Sequence, residues 1–106
     1  MLLINQPKTA IMFLKKAEQL MLERGKQYNS KSKKERSFAA VATAFTAITN
    51  KPITAAEVCL MLQILKNVRQ WGEDRFHSDS AEDNVAYAAL LAEELFKQYE
   101  EQDENN

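Results

Sequence analysis

The residues of this 106-residue chain best suited to chemistry gather in one stretch, His77-Ser-Asp79-Ser-Ala-Glu-Asp83, which runs into the apolar segment Val85-Ala-Tyr87-Ala-Ala-Leu-Leu91. Hard divalent cations take carboxylate oxygens and keep several waters, so two aspartates at a helix start could hold Mg²⁺, which could in turn hold a phosphate. Glu57, on the preceding helix, is the candidate third ligand. In that reading Asp79, Asp83 and Glu57 are the metal ligands. Asp83 and Glu57 are also the catalytic pair, with metal-activated water attacking a phosphoanhydride. Tyr87 lies one turn beyond Asp83 on the same helix face, within reach of a hydrogen bond or a shared ligand. Each residue also has a plain structural role. Ser80 followed by Asp83 has the spacing of a capping box that starts a helix at Ala81, Thr54-Ala-Ala-Glu57 is another such box, and His77 and Asp79 can simply steady a loop.

A second group is basic. Arg24, Lys26, Lys31, Lys33, Lys34 and Arg36 surround Tyr28, and could hold phosphates through charge-assisted hydrogen bonds or form a solvated turn. Lys66 and Arg69, on the third predicted helix, could steady an anion near the loop after Gly72. A net charge of −1 argues against nucleic acid as a partner, because the acidic end of the chain offsets the basic loop. One cysteine and one histidine cannot make a conventional zinc site, and no nucleophile elbow supports a Ser/His/Asp hydrolase. Cys59, between apolar neighbours, reads as a small core residue. No apolar run is long enough to cross a bilayer, and the first residues lack the pattern of a signal peptide, so the expected location is the cytoplasm.

These groups must be positioned by helices. Two glycines and two prolines leave few turns for an all-β fold, and Ala, Leu, Lys, Glu and Gln favour helix. The periodicity predicts a single all-α domain over 1–106, a four-helix bundle with helices at about 7–24, 33–49, 55–71 and 81–101 and an acidic tail at 102–106. Gly25 is read as the stop of the first helix, Ser32-Lys-Lys-Glu35 as the capping box of the second, and Asn50-Lys-Pro52 as its break. The third helix carries Val58, Met61, Leu62, Leu65, Val68 and Trp71 on one face, for several neighbours or another subunit, and the fourth carries Val85, Ala88, Ala89, Ala92, Leu95, Phe96 and Tyr99 inward. Helices two and three have more apolar face than a four-helix monomer covers, so a homo-oligomer is expected.

Several of these features together resemble a known group: Arg24-Gly25-x-x-Tyr28 at a helix end, an aromatic-bearing second helix, Lys66 and Arg69 on the third, and His77-x-Asp79-Ser80-x-x-Asp83-x-x-x-Tyr87-Ala88. They are similar to the small helical domains of phages and prophages that resemble the nucleotide-modification-associated helical domain. The resemblance covers roughly Ala17 to Glu94. It implies a nucleotide or phosphate metabolite as ligand, with Arg24, Lys26, Tyr28, Lys66, Arg69, His77 and Tyr87 as its binding residues. More distantly, Asp83 followed by Tyr87 resembles the last metal-binding helix of the all-α, MazG-like nucleoside triphosphate pyrophosphohydrolases, whose paired acidic residues bind Mg²⁺. Ser80 stands where that pattern has Glu, and Glu57 has no acidic partner at Leu60. The alternative expectation is a non-catalytic protein that assembles with itself or occupies a host protein.

Overall fold

A computed structural model describes residues 8–29 and 37–105, with the side chains of 8–24 and 37–101. The described residues form four helices and no strand: α1 (Ala10–Asn29), α2 (Phe38–Thr49), α3 (Ala55–Trp71) and α4 (Ser78–Asn105). The all-α expectation holds.

Local chemistry explains most of the helix ends. Thr9 begins α1: its Oγ1 accepts from Met12 N–H at 3.3 Å and its carbonyl from Phe13 N–H at 3.2 Å. The helix then passes through Gly25 to Asn29, with no glycine at positive φ, so Gly25 is not the predicted stop. A glycine ends a helix where the next turn needs a left-handed residue; inside a run of good formers it costs only about 1 kcal/mol. The predicted start of the second helix at 33 is corrected to Phe38, after Ser37, and the proposed box Ser32 to Glu35 lies outside the described residues.

Asn50 closes α2 in the left-handed conformation (φ 60°, ψ 28°), with its N–H on Thr46 O at 2.8 Å. Pro52 then keeps the chain extended into Thr54. There the predicted capping box is complete: Glu57 N–H donates to Thr54 Oγ1 at 3.1 Å, and Thr54 N–H donates to Glu57 Oε1 at 2.8 Å. Helix α3 ends as predicted at Trp71. Gly72 follows in right-handed geometry, where an added Cβ would meet Val68 O at 3.0 Å.

The start of α4 differs from the prediction. It begins at Ser78, a turn earlier, and Ser80 is not a cap but a helical residue only 2% exposed. The cap is His77, whose Nδ1 accepts from Ser80 N–H at 3.2 Å while its carbonyl accepts from Ala81 N–H at 3.1 Å.

Packing follows an open order rather than a closed ring. Among the described residues α4 packs against both α1 and α3, and α2 packs its backbone on α3 alone. The core where they meet is Phe38, Ala42, Val58, Cys59 and Leu90, with Met21, Ile53, Leu62, Tyr87 and Leu91 against it. Much of the apolar surface of the helices is outside it. Met61, Leu65, Val68 and Trp71 of α3 are exposed, as are Val41, Phe45 and Ile48 of α2 and Leu95, Phe96 and Tyr99 of α4. Ala88, Ala89 and Ala92 are exposed too, while Ala86 and Leu90 are buried. The apolar arcs are wider than one neighbour covers, so periodicity found the arc but not the covered part.

Candidate functional site

Along the seam between α3 and α4 the buried apolar core gives way to a row of polar contacts. Gln70 accepts on Oε1 from His77 N–H at 2.8 Å and donates from Nε2 to Arg75 O at 2.9 Å, so one side chain holds both sides of the α3–α4 connection. Next come Asn84 Nδ2 donating to Asn67 Oδ1 at 3.3 Å, and Lys66 Nζ on Asp83 Oδ2 at 3.1 Å. Descending α3 while ascending α4 in this way makes the two helices antiparallel. Helix α1 joins the connection through Phe13, whose ring meets Phe76 edge-on at 6.3 Å between centroids.

Asp83 is the meeting point of three helices. Besides Lys66 from α3, Arg24 from α1 brings Nη2 to 3.7 Å from its Oδ1. The first is a charge-assisted hydrogen bond; the second is too long for one and acts through charge alone. The side chains of Lys66 and Asp83 are only 13% and 21% exposed, and Arg24 is 46% exposed. Lys66 Nζ also lies 6.0 Å from the centroid of the Tyr87 ring, at the outer edge of cation–π range. Tyr87 in turn meets Phe38 of α2 edge-on at 6.4 Å. All four helices therefore reach this junction. Among the described side chains it holds two cations against one carboxylate.

The structure thus brings together Arg24, Lys66, Asp83 and Tyr87 from the predicted site. It does not bring Glu57 together with Asp83; Asp79 sits one turn before Asp83 on the same face of α4. Glu57 lies nine residues before Lys66 on α3, about 13 Å along the helix axis, and its carboxylate is turned back on its own helix start. Asp79 is exposed in the first turn of α4, where a negative charge favours the helix dipole. Among the described residues no group of three or more His, Cys, Asp or Glu side chains is placed to hold a metal ion. These donors do not fit a protein-bound Mg²⁺ built from Glu57, Asp79 and Asp83.

Arg69 is exposed in the last turn of α3, and His77 is engaged as a cap with Nε2 at 3.8 Å from Glu73 Oε2. The side chains of Lys26 and Tyr28 lie outside the described residues. Sequence reading missed Gln70, Asn67 and Asn84. The signal for them was polar residues on the arc of α3 and α4 that also carries the core. Two oxygens of this seam, Ser80 Oγ and Asn84 Oδ1, are buried without a hydrogen-bond partner among the described residues.

The fold and site define a small all-α domain with a polar seam and a half-buried charged junction, and no helix among the described residues is long and apolar enough to cross a membrane. The chain belongs to the family described as Domain of unknown function (DUF6378), whose model matches residues 12–95. No curated protein and no solved structure matches it.

Proposed function

We propose that this domain binds a phosphate-bearing metabolite, with nucleotides the leading class, at the junction of α1, α3 and α4. The observation that carries the reading is the convergence of Arg24 and Lys66 on Asp83 beside the Tyr87 ring. Two cations facing one carboxylate leave a net positive charge in a place partly shielded from water, where attraction for an anion is stronger than at an open surface. Arg24 is held to Asp83 only by charge, so its guanidinium can turn its paired donors to phosphate oxygens. Tyr87 adds an aromatic surface next to them. The reading is one of binding, because Glu57, the expected third ligand, lies away from Asp83 and caps its own helix.

The test is calorimetric titration with nucleoside mono-, di- and triphosphates, with and without Mg²⁺. Heat for at least one of them, lost in Arg24→Ala and Lys66→Ala proteins that keep their helical circular dichroism, supports the reading. Absence of heat at millimolar concentration for the whole panel sinks it.

A second reading is favoured by a separate observation. Val41, Phe45 and Ile48 on α2, and Met61, Ile64, Val68 and Trp71 on α3, face solvent. Such a surface suits a non-catalytic protein that works by association, with itself or with another protein.

A further inference from the structure

Between Phe38 and Leu65 the sequence carries only two charged residues, Lys51 and Glu57, and both sit at the turn between α2 and α3 or in the first turn of α3. Helix α2 itself has none. A helix apolar all round belongs in a protein interior. Yet only Phe38 and Ala42 of α2 are buried, and its backbone packs on α3 alone among the described residues. The inward side of α2 is the stripe Phe38, Ala42 and the half-buried Thr46. Its outward side is a second stripe, Val41, Phe45 and Ile48, at 49%, 38% and 83% exposure.

On α3 a similar pattern recurs. Met61, Ile64, Val68 and Trp71 are 47%, 50%, 63% and 83% exposed. Their spacing of three, four and three residues is that of a coiled-coil seam, and the four-three spacing of Val41, Phe45 and Ile48 is the same repeat in the other phase. Both helices thus present to solvent the spacing that interlocks with another helix. With Leu65, these side chains expose about 800 Å² in all, the share that each partner contributes to a standard stable interface.

We propose that this surface is covered by the same surface of a second copy, so that the α2–α3 hairpins of two chains complete a four-helix layer about a twofold axis. The inference rests on the self-association reading above and is independent of the ligand reading. A second copy, rather than another protein, follows from the charge pattern. Apart from Glu57, which lies four residues before Met61 and is held by its capping box, the stripes have no charged residue with which to select a different partner, and an uncharged apolar seam is complementary to itself, as a twofold contact requires. Ala44, exposed on α2 beside Val41 and Ile48, lets a neighbouring helix approach closely there.

The experiment is sedimentation velocity on the full chain, with Ile48→Glu and Val68→Glu as variants and Leu14→Glu, on an exposed part of α1, as the control. The wild type should run at an even number of copies, about 24 kDa for two chains of 12.1 kDa. Each charge occurs twice in a twofold interface, so Ile48→Glu and Val68→Glu should weaken association by about 100-fold or more and give helical monomers. Leu14→Glu should leave the mass unchanged. Trp71, the only tryptophan, supplies a readout on the unmodified protein: dilution that dissociates the dimer should shift its emission to the red. A wild type that runs as one copy overturns both the inference and the self-association reading. An oligomer that survives both α2 and α3 variants, with Trp71 emission constant on dissociation, overturns the assigned surface while self-association stands.

Discussion

The two roles open to Asp83, counter-ion of the junction or ligand for a metal, predict opposite results for Asp83→Asn. The substitution keeps the side-chain shape and removes the charge. Lys66 and Asp83 are in contact at 3.1 Å with both side chains mostly shielded, at 13% and 21% exposure. An exposed pair is worth at most about 1 kcal/mol, and breaking a fully buried one costs about 3–5 kcal/mol. The intermediate position here gives a loss of about 2 kcal/mol, or a fall in melting temperature of roughly 10 °C for a domain of this size. Binding should move the other way. With the carboxylate gone, Arg24 and Lys66 no longer share their charge with it, and an anion at the junction gains about 1–2 kcal/mol, a 5- to 30-fold rise in affinity. Urea denaturation followed by circular dichroism, at one fixed protein concentration, gives the first quantity. Calorimetric titration with the best phosphate ligand gives the second. Loss of Mg²⁺-dependent binding with stability unchanged would refute the counter-ion argument. Unchanged affinity would remove the junction as the ligand site.

Other expectations concern the parts that hold the junction in place. Thr54→Ala removes one half of the α3 capping box and should cost about 1 kcal/mol in urea denaturation, while ligand affinity stays unchanged because the box is far along α3 from Lys66. His77→Ala should lose a similar amount, about 1 kcal/mol, and His77→Asn should restore most of it, since asparagine is a preferred N-cap; an alanine protein as stable as wild type would refute the capping role. Gln70→Ala leaves His77 N–H and Arg75 O without their side-chain partner, and amide hydrogen exchange should speed up first at residues 73–77. Ser80→Ala deletes a buried hydroxyl without a partner among the described residues and adds helix propensity, so stability should rise by roughly 0.5 kcal/mol; a fall of that size or more would show that the hydroxyl is bonded.

The chain's own chemistry determined those features that depend on a few neighbouring residues. Thr54 and Glu57 cap each other across one turn, and Asn50 with Pro52 ends α2, so the bounds of α3 and the end of α2 were legible without a fold. The spacing of Asp83 and Tyr87 was legible for the same reason, because a helix places them on one face. Local signals failed where two starts competed. Ser80 and Asp83 have capping spacing, but Gln70 fixes the backbone at His77, whose ring captures Ser80 N–H and starts α4 a turn earlier. Gly25 likewise permitted a stop that nothing in the following residues required.

Only the tertiary structure decided which charges meet and which apolar residues are covered. Lys66 reaches Asp83 because α3 and α4 run antiparallel with Gln70 and His77 at the hinge, and Arg24 arrives from a helix far away in the chain. The same antiparallel register carries Glu57 away from Asp83 along α3, so of the three acidic residues only Asp79 and Asp83, one turn apart on α4, stay together. Periodicity marks an apolar arc on each helix, but the number of neighbours that share it is a property of the assembly. Among the described residues α2 packs on α3 alone, and its stripe Val41, Phe45 and Ile48 is left exposed.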